Sequence, residues 1–113
     1  MLYYKTFVKS DSHDWVVFIH GAGGSSSIWF KQIRAYQEHF NVLLVDLRGH
    51  GKSKEMSTMK AYYKEKYTFK TVSRDVLEVL RNKNIEKAHF VGVSLGTIII
   101  RSIAEMKPEI VKS

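Results

Sequence analysis

The stretch Gly92-Val93-Ser94-Leu95-Gly96 sets a hydroxyl between two glycines, each two positions away. Such a serine can attack a carbonyl carbon once a base takes its proton. The pattern is expected at a sharp strand-to-helix turn. The turning residue takes a strained backbone, and small neighbours on each side keep strand and helix from colliding. Apolar Ala88-His89-Phe90-Val91 precedes the turn and Ile98-Ile99-Ile100 follows it. Two further stretches could serve the same chemistry. His20-Gly21-Ala22-Gly23-Gly24 has glycines that let backbone N–H groups approach a ligand closely, and Asp46-Leu47-Arg48-Gly49-His50-Gly51-Lys52-Ser53 is a second polar turn. A serine of this kind needs a histidine base. His13, His20, His39, His50 and His89 all precede Ser94, whereas this turn expects its acid and histidine later in the chain.

The elements that must position these residues follow from hydrophobic patterning. Short apolar runs alternate with amphipathic segments, which predicts a parallel sheet with crossover helices. Strands are expected over Leu2–Val8, Trp15–His20, Asn41–Asp46 and Ala88–Val93, the last three as continuous apolar runs covered on both faces. Asp11-Ser12-His13-Asp14 reads as a polar turn. Ser27 is expected to cap a helix from about Ile28 to His39, with Trp29, Ile33 and Tyr36 on one face. Thr68 is expected to cap a helix to about Asn82, with Val72, Val76, Val79 and Leu80 as its apolar stripe and Leu77 widening it. Lys54–Tyr67 is weakly patterned and reads mostly as loop. A last helix should run from about Leu95 to Met106 and stop before Pro108. Ile110-Val111 reads as the start of another strand. All three polar turns then fall at the carboxyl edge of the sheet, where open α/β sheets place their sites.

At 113 residues the chain is at most one domain. It has no cysteine, which excludes disulfides, thiolate catalysis and cysteine-based metal sites. No secretion signal and no run of about 20 apolar residues is present, so a cytoplasmic location without membrane partners is the default expectation. The net charge is +7, with Lys52, Lys54, Lys60, Lys64, Lys66 and Lys70 interleaved with Tyr62, Tyr63 and Tyr67. A nucleic-acid patch would look like this, but charge runs are usually solvated surface, and no nucleic-acid partner is expected.

Taken in this order and spacing, the three turns resemble the α/β-hydrolase superfamily from about Trp15 to Pro108. His20-Gly21-Ala22-Gly23-Gly24-Ser25-Ser26-Ser27-Ile28-Trp29 is similar to its oxyanion loop. Asp46 to Ser53 is similar to its D-x-R-G-x-G-x-S segment, and Gly92 to Gly96 to its nucleophile elbow. The resemblance implies an α/β fold with a parallel three-layer sheet, truncated after the elbow helix, so that residues 1–113 are the N-terminal part of a single domain. It implies that Ser94 is the nucleophile. The N–H of Leu95 would be one oxyanion donor and that of Ala22 the other, with Gly23 as a near alternative. His20, Gly21, Arg48 and Gly49 would be structural, as would Gly92 and Gly96. Thr97 stands where the family often has a third small residue. The catalytic acid and histidine are expected beyond Ser113, which would leave these residues alone inactive. The implied substrate is a small ester-like molecule, and no metal or organic cofactor is implied. The strand at 88–93 would lack a partner on one side, which predicts self-association through the exposed edge.

Other readings use the same residues. A dinucleotide-binding domain would use Gly21-x-Gly23 and hold a ribose with Asp46, but its third fingerprint position is Ser26 and the elbow goes unexplained. Gly51-Lys52-Ser53 resembles the end of a phosphate-binding loop, but Asp46 stands at the required first glycine. A non-catalytic interaction module on a hydrolase-like sheet is the third reading.

Overall fold

In the computed structural model, residues 1–57 and 68–113 are described, the side chains of 55–57 excepted. Strands β1 (Tyr4–Phe7), β2 (Trp15–Ile19), β3 (Asn41–Val45) and β4 (Ala88–Gly92) form one sheet in the order β1-β3-β2-β4. β3 and β4 both pair in parallel with β2, whereas β1 is antiparallel to β3. This first strand departs from the all-parallel expectation. The short connection Val8–Asp14 returns to the same edge of the sheet, so β1 must run opposite to β2; a parallel strand would need a long crossover. Asn41 holds that connection, accepting from the N–H groups of Lys9 and Ser10 and donating to the carbonyls of Ser10 and His13.

Alternate residues of the central strands face opposite ways, and each face finds its own cover. Val16, Phe18, Val42 and Leu44 pack with Trp29 and Ile33 of the first crossover, where Phe18 meets the Trp29 ring at 5.0 Å and the Tyr36 ring at 5.3 Å. Val17, Ile19, Leu43 and Val45 pack on the other face against Val72, Val76, Val79 and Leu80 of α2 (Phe69–Asn82) and Ile99 and Ile103 of α3 (Leu95–Met106). The expected stripe of α2 is the buried one. Its expected cap is also present: the Thr68 hydroxyl accepts from the N–H of Thr71, and the Thr71 side chain returns to the Thr68 N–H. α3 ends at Met106, ahead of Pro108.

The first crossover differs from its expected form. Ser25, not Ser27, caps it, and it opens as a 3-10 turn over Ser26–Trp29 before α1 (Phe30–Tyr36). The reason is local: Ser25 has the extended backbone of a cap, and its side chain accepts from the N–H of Ser27. Trp29, Ile33 and Tyr36 nevertheless share the inward face. Part of the region read as loop, Gly51–Ser57, is a 3-10 segment kinked at Ser53. Lys60, Lys64, Lys66, Tyr62, Tyr63 and Tyr67 lie outside the described residues, so the basic run is placed only at Lys52, Lys54 and Lys70.

β4 is half-buried beyond Ala88, unlike β2 and β3. It pairs with β2 along its whole length, and among the described residues its outer side carries the last residues of the chain. Val111 bridges Ala88 in parallel, Lys112 N–H donates to Ala88 O, and Phe90 N–H donates to Ser113 O. The strand read at Ile110-Val111 therefore begins at Val111, after a 3-10 turn over Pro108–Ile110.

Among the described residues, a buried ion pair ties α2 to the loop after β3. Arg48 grips Asp75 through two bonds of 2.8 Å, with both side chains almost wholly buried. Removing one member of such a pair costs about 3–5 kcal/mol, because the other keeps its desolvation penalty. Asp75→Ala is therefore expected to lower the folding free energy by about that amount. Urea denaturation of the variant beside Glu78→Ala, an exposed acid of the same helix, would check it.

Candidate active site

Ser94 occupies the turn between β4 and α3 with φ 53° and ψ −114°, a backbone that a residue with a side chain rarely adopts. The strain persists because the packing on either side fixes it. A Cβ on Gly96 would be driven into the carbonyl oxygen of Ile19 and would stand 3.0 Å from that of His20. A Cβ on Gly92 would meet Ile100 Cδ1 at 2.7 Å and the carbonyl carbon of Gly96 at 2.8 Å. The helix thus starts directly against the carboxyl ends of β2 and β4. Ser94 stands exposed at the rim, and its side chain caps no helix N–H.

The loop after β2 lies beside it. A Cβ on Gly21 would fall 3.3 Å from Ser94 Cβ and 3.2 Å from Val93 O. Ala22 and Gly23 at its tip are exposed. Among the described residues, the N–H groups of Ala22, Gly23 and Leu95 donate to no protein acceptor. Their neighbours are engaged: Gly24 N–H donates to Gly21 O, and Gly96 N–H to Val93 O. Unpaired N–H groups in the first turn of a helix, reinforced by its dipole, suit developing negative charge. The structure therefore gathers Ser94, Leu95, Gly21, Ala22 and Gly23 at one end of the sheet.

The third turn does not join them with its side chains; it braces the loop. His20 is fully buried. Its Nδ1 donates to Gly21 O at 2.7 Å, and its Nε2 accepts from Leu47 N–H at 3.0 Å. Burial pushes the His20 ring below its ordinary pKa, against the smaller pull of the Gly21 carbonyl. Asp46 spends one carboxylate oxygen on Ser26 N–H at 2.7 Å and the other on Lys52 N–H at 3.0 Å. Burial pushes this carboxyl up, but the amide bonds from Lys52 and Ser26 together hold it below the usual value. An Asp46 tied in this way braces two loops and is not presented to a ribose, as the dinucleotide reading required. Ser53 closes the turn, donating to Asp46 O and accepting from Tyr3 N–H.

Asp75 is the member of this framework that sequence reasoning missed. A signal was present: it falls three residues after Val72 on the apolar stripe of α2, and a carboxylate in such a stripe requires a buried partner. Arg48 is that partner. No hydrogen bond among the described residues joins Ser94 to a histidine. His50 Nδ1 is directed at Arg48 O, and His89 bonds to Asp14 and Ser113 at the opposite edge of the sheet. Two clefts among the described residues, of about 390 and 370 Å³, run along α2 and reach Lys107, and neither is lined by Ser94, Ala22 or Gly23.

A family model described as alpha/beta hydrolase fold matches residues 14–113. The chain belongs to this family. A Haemophilus influenzae protein with the provisional name esterase/lipase is 32% identical over 97 residues, covering 86% of this chain and 31% of that protein. A 3-oxoadipate enol-lactonase of Acinetobacter baylyi is 36% identical over 81 residues, covering 72% of this chain and 27% of the enzyme. The crystal structure of a hydrolase from Pseudomonas aeruginosa superposes with a TM-score of 0.83 at 31% identity, over 97% of this chain and 38% of that one. The chain thus spans about a third of the length of the relatives it matches. In the α/β-hydrolase fold of this chain, no helix among the described residues is long and apolar enough to cross a membrane.

The contacts at Gly96 and Gly23 predict different costs. Gly96→Ala would press a methyl into rigid backbone and is expected to cost about 3 kcal/mol or more, enough to threaten folding. Gly23 has φ 77° but open space around it, so Gly23→Ala should cost about 1–2 kcal/mol from backbone strain alone. Equal urea midpoints for the two variants would contradict the packing account.

Proposed function

We propose that residues 1–113 are the N-terminal part of one serine-hydrolase domain and provide its nucleophile and oxyanion donors. The observation that carries this reading is an exposed, backbone-strained Ser94 beside the unpaired N–H groups of Leu95, Ala22 and Gly23. Ser94 Oγ attacks the carbonyl carbon of an ester or related acyl bond. Its proton passes to a histidine base, and the alkoxide leaves with a proton from the same base. The Leu95 and Ala22 N–H groups, with Gly23 as the near alternative, hold the oxygen on which charge develops. Such donors act well because they are fixed before the charge appears. Esterase and lactonase chemistry among the relatives supports an acyl substrate.

In this reading the base and its carboxylate come from chain beyond these residues. Loss of a triad base costs on the order of 10⁶ in turnover. The 113 residues alone are therefore expected to give no turnover of p-nitrophenyl butyrate. A polypeptide that adds a histidine and a carboxylate to this sheet edge should hydrolyse it, and Ser94→Ala should remove that activity by a comparable factor. Retained hydrolysis in the Ser94→Ala form would end the reading.

The same proposal extends to association. The outer side of β4 beyond Ser113's contact with Phe90 is unpaired among the described residues, and Val93 and Ile98 beside it are nearly half exposed. Free strand edges and apolar rims favour association. The isolated chain is expected to self-associate through that edge, giving a concentration-dependent mass in sedimentation. A single monomeric species at high concentration would count against it.

A further inference from the structure

The hydrogen bonds of His20 specify one protonation state. A carbonyl oxygen cannot donate, so Nδ1 must carry the proton that meets Gly21 O; Nε2 must be bare to accept from Leu47 N–H. Neutral imidazole with its proton on Nδ1 satisfies both, in a site with no exposed surface. A second proton has only Nε2 to occupy, where it would point at the Leu47 N–H, donor against donor. The ring is also the direct link between the loop after β2 and the loop after β3, which are tied nearby by Ser26 N–H on Asp46. We propose that His20 is a pH-sensitive clasp: a proton on Nε2 expels the Leu47 N–H while Nδ1 keeps Gly21 O, so the Gly21–Gly24 loop beside Ser94 loses its imidazole tie to the loop after β3.

Among the described residues, the titratable groups around the ring are His50, whose ring centre is 5.1 Å away, and Asp46. Both come from the loop after β3. His50 opposes protonation of His20 and Asp46 favours it. α3 meets His20 through Gly96 against its carbonyl and brings no charge there. Burial holds the His20 ring below its ordinary pKa, so the unfolded chain takes this proton before the folded chain does. The neutral clasp is therefore complete above about pH 6.5 and is lost as acid approaches the folded-state value. A reacting serine that depends on the 21–24 loop would have its oxyanion donors less firmly held in that acid range. This catalytic consequence rests on the hydrolase reading, while the coupling of the two loops does not.

The test follows ring and backbone by NMR in the 113-residue chain from pH 7.5 to 4.5, without substrate. The His20 ring should titrate below about 6.5, and the amides of Leu47 and Gly21–Gly24 should move with it at one midpoint. The amides of Val17 and Val76, deep in the sheet and in α2, should hold still. His20→Gln should abolish the coupled movement, and His50→Gln should leave it in place. If His20→Gln does not fold, the wild-type ring titration and His50→Gln decide the matter. The proposal is overturned if the 21–24 amides stay fixed while the ring titrates. It is also overturned if they follow His50, or if Val17 and Val76 collapse in the same step. Ser94→Ala should repeat the wild-type result, so a failure of the hydrolase reading would leave this outcome unchanged.

Discussion

The arrangement depends on how closely the start of α3 is pressed against the end of β2. With no side chain at Gly96, the helix backbone reaches the carbonyls of Ile19 and His20. That approach gives the chain no room to leave β4 gradually, so it must reverse within a residue, and Ser94 takes the strained geometry. The same approach sets Ser94 against the loop that continues from β2, where a Cβ on Gly21 would stand 3.3 Å from Ser94 Cβ. One steric contact therefore bears on the serine's exposure, its backbone strain and its closeness to Gly21. Burial of the sheet on both faces supplies the energy that holds it. Val17, Ile19, Leu43 and Val45 lie under α2 and α3, and fully burying each such side chain is worth about 1.5–3 kcal/mol.

A strained turn is useful only if its surroundings are rigid, and here polar interior groups provide the rigidity. His20, Asp46 and Ser53 all bond to backbone N–H or C=O groups of neighbouring turns, which converts separate loops into one braced edge. Arg48 fastens that edge to α2 through Asp75. Each of these groups is costly to bury alone and tolerable only because its partner is in place. The site is thereby held by groups that need never touch a substrate.

Much of this was legible from residue types. Alternation of apolar runs with amphipathic segments identified β2, β3, β4, α2 and α3, and the reach of α2 from Thr68 to Asn82 followed from its capping threonine and its valine stripe. Glycine spacing around Ser94 located the elbow, because few other backbones require small residues two positions away on both sides. Reading failed where the deciding interaction was local and degenerate. Any of Ser25, Ser26 and Ser27 could cap the first crossover, and only the extended backbone of Ser25 selects it. It also failed where the partner was remote: the direction of β1 depends on which edge the Val8–Asp14 connection returns to, and Asp75 lies twenty-seven residues from Arg48.

The sequence by itself determined which residues have the types to do chemistry and which elements bear them, since hydroxyl, glycine and apolar period are properties of single residues and their spacing. Tertiary structure alone decided what those residues face. The Leu47 N–H on His20, the Ser26 N–H on Asp46, the Arg48–Asp75 pair and the place of Ser94 beside Gly21 all join segments distant in the chain. Such contacts exist only once the sheet has brought its carboxyl ends together, and hydrophobic spacing, which registers burial, carries no record of the partner that burial will supply.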